Sequence, residues 1–320
     1  MNQELLFATS GYSSNDTSVP DLSVFRITEN GHFYRENSLY RTDNPSYLTV
    51  SGEELYVACE NGDGATVAVY RRTEYAMKKI KEFTYSFAGL CHLAINGNRI
   101  YGSCFIDGTF FCADTETGNI LWKYNCDRPN SHAHETLVAD EFSQIITSNY
   151  GTGEVSCFTL KNGIPKKKVL SYVFEDGSSP RSLIRSNDYL YCTLENSSEI
   201  AVFFYNGKEL RLIQRISSTG SQGKNYPSNA VIVDDFLYVG NRGVDSISIF
   251  KILCNGQIEY LSEKAIDGKF PRHIEVYNNG RGLMVSCQKS DEVELWKIQK
   301  EHLTKIGSVE QYHASCTVVL

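Results

Sequence analysis

Leu6-Phe7-Ala8-Thr9-Ser10, Leu55-Tyr56-Val57-Ala58-Cys59, Ile100-Tyr101-Gly102-Ser103-Cys104, Ile145-Ile146-Thr147-Ser148-Asn149, Leu190-Tyr191-Cys192-Thr193-Leu194, Leu237-Tyr238-Val239-Gly240-Asn241 and Leu283-Met284-Val285-Ser286-Cys287 are seven versions of one strand. Their starts lie about 45 residues apart, the period of a propeller blade with four strands. After each comes a strand that alternates with period two, as in Asp21-Leu22-Ser23-Val24-Phe25-Arg26-Ile27 and Glu199-Ile200-Ala201-Val202-Phe203. A tight turn follows, at Asn30-Gly31, Thr117-Gly118, Asn162-Gly163, Asn206-Gly207 and Asn255-Gly256, pairs that supply the positive φ of hairpins. A weaker strand such as Leu210-Arg211-Leu212-Ile213-Gln214-Arg215-Ile216 completes the unit.

This repeat predicts an all-β fold, a seven-bladed β-propeller. Length alone would allow two domains in 320 residues, but the unbroken repeat argues for one domain over residues 1–320. The chain starts at the second strand of a blade. Ala314-Ser315-Cys316-Thr317-Val318-Val319-Leu320 reads as the missing first strand, so pairing it with Leu5 to Ser10 closes the ring and protects its edges.

An apolar fraction of 41% and a net charge of −7 fit a folded soluble protein without a basic face for nucleic acid or anionic lipid. The basic run Lys166-Lys167-Lys168 reads as a solvated turn between strands. The opening Met1-Asn2-Gln3-Glu4-Leu5-Leu6-Phe7-Ala8 lacks the basic start and long apolar run of a secretion signal, and no window approaches a membrane span. Ten cysteines contain no CxxC pair, and Cys59, Cys104, Cys157, Cys192 and Cys287 fall inside strand patterns. They read as buried, reduced thiols of a cytoplasmic protein.

In a propeller blade, the loop leading into the first strand and the loop joining the second to the third share one face. The first set contains Asn44-Pro45-Ser46-Tyr47, Cys91-His92, Ser131-His132-Ala133-His134, Ser179-Pro180-Arg181-Ser182, Pro227-Ser228-Asn229 and Phe270-Pro271-Arg272-His273. The second contains Glu60-Asn61, Phe105, Asn149-Tyr150-Gly151, Glu195-Asn196, Asn241-Arg242-Gly243 and Cys287-Gln288. Five of the seven histidines, His92, His132, His134, His273 and His313, lie in or beside the first set. Arg181, Arg242 and Arg272 join them, with Glu60 and Glu195.

Guanidinium groups there offer planar forks for carboxylate or phosphate, and histidine or glutamate beside them can move protons. A small anionic molecule is the expected ligand. The same residues also suit structural ties between blades. His132 and His134, two apart on a strand, would share a face, but no third metal ligand is identifiable and no metal is expected. There is no phosphate loop, nucleophile elbow or dinucleotide fingerprint.

On these residues the chain resembles the seven-bladed propeller lactonase family, which includes bacterial 6-phosphogluconolactonases and fungal 3-carboxymuconate cyclases. The matching pieces are Asn44-Pro45-Ser46-Tyr47-Leu48, Cys91-His92-Leu93-Ala94, His132-Ala133-His134, Pro180-Arg181, Leu194-Glu195, Asn241-Arg242-Gly243 with Asp245-Ser246-Ile247, and Lys269-Phe270-Pro271-Arg272-His273. The resemblance implies a catalytic cluster of His132 or His134, Arg181, Glu195 and Arg242. Arg272, His273, Glu60, His92 and Asn241 are the expected substrate contacts. Ser182 and Val244 stand where the family usually carries histidine, and Ala314 where it carries proline.

The leading expectation is hydrolysis of a sugar lactone without a cofactor, as in a 6-phosphogluconolactonase of the oxidative pentose phosphate route. A cycloisomerase acting on a muconate-type dicarboxylate and a non-catalytic binding propeller are the alternatives.

Overall fold

The computed structural model describes residues 5–27, 33–39, 42–73, 77–126 and 128–320. Seven antiparallel sheets of four strands form a ring. Six follow chain order, over residues 45–85, 90–125, 133–173, 180–217, 226–265 and 271–310. The seventh is made from both ends of the chain: Ala314–Val319 pairs with Leu5–Gly11, which continues to Leu22–Ile27 and Phe33–Leu39. The innermost strand of each sheet touches those of its two neighbours around the whole circle. Among the described residues the one helical element is the 3-10 turn Asp140–Phe142.

The repeated pentapeptides are the second strands, buried between sheets, and their composition follows from that place. Leu190 and Cys192 pack with Ile146, Val155 and Cys157 of the preceding blade, while Tyr191 packs with Leu237 and Val239 of the next. The recurring tyrosine also ties blades together. Tyr101, Tyr191 and Tyr238 donate their hydroxyls to hairpin carbonyls of the following blade, at Gly163 (2.6 Å), Gly256 (3.0 Å) and Lys300 (2.7 Å). Asn162 and Gly163 carry φ of 53° and 72°, as a primed hairpin turn requires. The Asn30-Gly31 turn lies outside the described residues. Lys166, Lys167 and Lys168 are not in a turn: they stand on the outermost strand Ile164–Val173, where the edge is open to water. Nine of the ten cysteines are buried; Cys254 is exposed.

One irregularity repeats in every blade. Near its start, each innermost strand carries a bulge, between Pro45 and Tyr47, Leu90 and His92, Ala133 and Glu135, Pro180 and Leu183, Pro227 and Ala230, Pro271 and His273, and opposite Ser10/Gly11. A bulge places two residues against one on the partner strand and re-aims their side chains. Neighbouring residues such as His134 and Glu135, or Arg181 and Ser182, thereby both line the central cavity of about 430 Å³.

Ring closure gives the first prediction. Deleting residues 313–320 strips Leu5–Gly11 of its inner partner and exposes a sheet edge, so Tm should fall by more than ~10 °C or the protein should aggregate. Unchanged melting of the shortened chain would contradict closure by this strand.

Candidate active site

Arginines dominate the mouth of the channel. Arg181, supplied by the bulge of its strand, is buried, and its carbonyl accepts Ser148 Oγ of the preceding blade at 2.7 Å. Its Nε lies 3.0 Å from Glu195 Oε2. Arg242 Nη2 makes a short ion pair with the same oxygen, while its Nε donates to Tyr226 O at 3.1 Å. Glu195 is thus gripped by two guanidinium groups from adjacent blades, and Tyr150 donates to Oε1 at 3.4 Å. Across the mouth, Arg272 Nη2 lies 3.7 Å from Glu60 Oε2. Tyr12 stands between them, donating to Glu60 at 2.5 Å and accepting from Arg272, whose guanidinium also lies 5.0 Å over its ring.

The protonation states follow from burial and these pairings. Burial alone would raise the Glu195 carboxyl, but Arg242 and Arg181 outweigh it and hold the group below the usual carboxylate range. Burial and the repulsion of Arg181 pull Arg242 down to about 10, still charged at neutrality. Three guanidinium groups against the carboxylates of Glu195 and Glu60 leave one surplus positive charge.

The channel histidines stay neutral. His134 is held well below its ordinary range by burial, then by Arg181; His92 and His273 are pulled down to about 3, chiefly by burial. Nδ1 of His134 and of His92 is buried without a hydrogen-bond partner.

Other predicted residues lie elsewhere. His132 sits at the rim, its ring stacked 4.6 Å from Phe105 and its Nδ1 2.7 Å from Phe105 O. The bulge breaks the alternation expected to align it with His134, whose ring meets Phe105 edge-on at 6.1 Å. His313 stays outside the cavity, stacked on Tyr312. His92 and His273 stand with Tyr47 in the cavity wall, and His273 Nδ1 accepts Thr317 N at 3.5 Å. Asn241, expected to touch substrate, is fully buried and spends its amide on Ser218 O and Ser248 Oγ, with Asn225 donating to its oxygen. It is a tie within the blade wall.

Sequence reasoning placed Tyr150 among the converging loops without giving it a role, and missed Tyr12 and Glu135 as members of the site. The repeat held part of the signal: the residues following the seven pentapeptides are Gly11, Glu60, Phe105, Tyr150, Glu195, Arg242 and Gln288. Tyr12 comes one residue later. Glu135 had no such signal, because a bulge turns it inward. Its Oε1 accepts Leu183 N at 3.1 Å. Burial pushes its carboxyl up to about 7, against Leu183 N–H, Ser182 and Arg181. Burial alone pushes Glu275, further along the channel, to about 7.

The sequence profile of the lactonase, seven-bladed β-propeller family matches residues 8–319. The chain belongs to this family. An uncharacterized protein of Lactococcus lactis subsp. cremoris is 26% identical, the match covering 79% of this chain and 80% of that one. Among solved structures, a candidate 6-phosphogluconolactonase from Bacteroides fragilis superposes with a TM-score of 0.88 at 20% identity, over 99% of this chain and 98% of that one. The Pseudomonas aeruginosa periplasmic gluconolactonase superposes with a TM-score of 0.89 at 20% identity, over 99% of each chain. At these identities the structures share the fold. No helix among the described residues is long and apolar enough to cross a membrane.

The raised carboxyls give a stability prediction. A glutamate near its ordinary 4.5 when unfolded and near 7 when folded favours the native state most below pH 4.5, and that advantage is lost as pH rises through 7. Glu135→Gln and Glu275→Gln should each raise Tm at pH 8 by roughly 3–6 °C relative to wild type and change it little at pH 5. Equal shifts at both pH values would show that the acids are not buried in this way.

Proposed function

We propose that the protein hydrolyses the δ-lactone of an anionic sugar acid, with 6-phosphogluconolactone as the leading substrate, in the cytoplasm. The observation that carries this reading is the Glu195 carboxylate held between Arg181 and Arg242, beside a neutral His134 with an unpartnered Nδ1. Family membership supports the reaction class.

Lactone opening needs a site for the charge that develops on the carbonyl oxygen. Arg181 is a fixed, buried donor for that oxyanion, held by the Glu195 carboxylate that Arg242 also grips, and little reorganisation is needed when the charge appears. Water attacks the ring carbonyl carbon and passes a proton to His134 Nδ1. In the isolated protein, Arg181 opposes protonation of His134. Burial opposes it more strongly still; the negative charge growing beside Arg181 lessens the electrostatic part of that opposition, and the basicity of His134 rises as the reaction proceeds. Collapse of the tetrahedral intermediate breaks the bond between the carbonyl carbon and the ring oxygen, which takes the proton back from His134 to become the hydroxyl of the open acid. Glu195 keeps the two guanidinium groups in place, and Tyr150 orients its second oxygen. Arg272, buttressed by Tyr12 and Glu60, faces the remainder of the substrate. The reaction balances as one water added per lactone, with no cofactor.

Arg181→Ala and Glu195→Gln should each lower kcat/KM for the lactone by about 100-fold or more, the scale of losing one oxyanion donor. Arg181→Ala should keep Tm within a few degrees of wild type, and Glu195→Gln, which leaves two buried guanidinium groups without their carboxylate, should lower it by roughly 5 °C while the protein stays folded. Full activity in either folded variant would place the chemistry elsewhere. Unfolding of both would assign these pairs to holding blades together.

A further inference from the structure

Beyond the arginine cluster, the rim of the mouth carries a second feature. Phe270 has φ of +61°, a left-handed conformation that a bulky residue rarely adopts. It is pinned there: its N–H donates to Asp245 Oδ1 at 2.8 Å, and its carbonyl accepts Gln288 N at 3.1 Å. The ring so fixed is shared by two cations. Arg242 Cζ lies 5.3 Å from its centroid and Lys289 Nζ lies 4.1 Å from it. The two charges are therefore no farther apart than the sum of those distances. The Lys289 backbone is tied to the same turn, donating its N–H to Lys269 O at 3.1 Å.

The neighbouring cations are differently placed. Lys269 has Asp245 Oδ2 at 3.6 Å, and Arg272 has Glu60. Among the described residues, no carboxylate lies within ion-pairing distance of Lys289. Arg181 and Arg242 share one carboxylate, Glu195, and so carry one surplus charge; Lys289 adds a second. A phosphate monoester bears close to two negative charges at neutral pH.

Resting on the lactonase reading, we propose that Lys289, with Arg242 at the same Phe270 ring, forms a rim subsite for the substrate's phosphate monoester. Lys289 then sets the preference for a phosphorylated over an unphosphorylated lactone, while Arg181 and His134 act on the lactone ring. Phe270, fixed by its turn, holds both cations at its ring and keeps the ammonium near the mouth.

The test compares wild type, Lys289→Ala, Lys289→Arg and, as a control, Lys208→Ala in the hairpin of the opposite face. Steady-state kinetics are measured on 6-phosphoglucono-δ-lactone and on glucono-δ-lactone. Calorimetric titrations use 6-phosphogluconate and gluconate. Lys289→Ala should raise KM for the phosphorylated lactone by about tenfold, equivalent to one rim ion pair, and leave kcat within about twofold. The unphosphorylated lactone should be unaffected, Lys289→Arg should restore most of the loss, and Lys208→Ala should behave as wild type.

Equal effects on both lactones, or none on either, would overturn the subsite. If wild type opens neither lactone, the functional reading fails and the titrations decide the subsite alone. Tighter binding of 6-phosphogluconate than gluconate, lost in Lys289→Ala, would sustain it; equal binding would overturn it.

Discussion

Antiparallel pairing between Ala314–Val319 and Leu5–Gly11 turns six complete sheets and two partial ones into a closed ring, and the placement of the site depends on it. Thr9, Ser315 and Thr317 bury hydroxyls in that seam, where Thr317 bonds Thr9 at 3.1 Å and Ser286 at 2.9 Å. Ser315 reaches on to Pro45 O at 2.9 Å, linking the last strand to the next blade. A circle of seven innermost strands fixed in this way leaves little freedom for the width of the channel. The bulges near its mouth then determine which side chains face inward. His134, Arg181 and Arg272 all enter the cavity through them.

Closure concentrates charge where water is scarce. Burying three guanidinium groups is costly unless they are paired, and each has a carboxylate within 4 Å. The pairing is incomplete by one charge. The remainder is a standing attraction for an anion, and an anion that joins Arg181 and Arg242 weakens their hold on Glu195. The histidines sit in the same field: burial first, and the charge of Arg181 in addition, keep them neutral.

The ring was legible because blade formation is a local problem. Period-two alternation, primed turns and a recurrent Leu-Tyr pair each reflect contacts within a blade or with the next one. Even the closing strand could be recognised, since strand bookkeeping left one place empty. The membership of the cluster was legible for a related reason: topology alone brings the two loop sets to one face, and Arg181, Glu195 and Arg242 meet there. What escaped was side-chain aim. His132 and His134 look equivalent by alternation, but a bulge sends the second inward and leaves the first on Phe105. Glu135 looks like an outward residue for the same reason. Asn241 sits beside Arg242 in sequence but faces Ser218 and Ser248, because neighbours on an unbulged strand point to opposite sides.

The central claim is that the arginine-framed mouth adds water to a lactone. Its most direct test follows the opening of freshly generated 6-phosphogluconolactone in ¹⁸O-labelled water, with and without the wild-type protein. The account predicts opening well above the spontaneous rate, with one labelled oxygen entering the product carboxyl group per turnover. A folded wild-type protein that leaves the spontaneous rate unchanged, or converts the lactone to an unlabelled isomer, would contradict it.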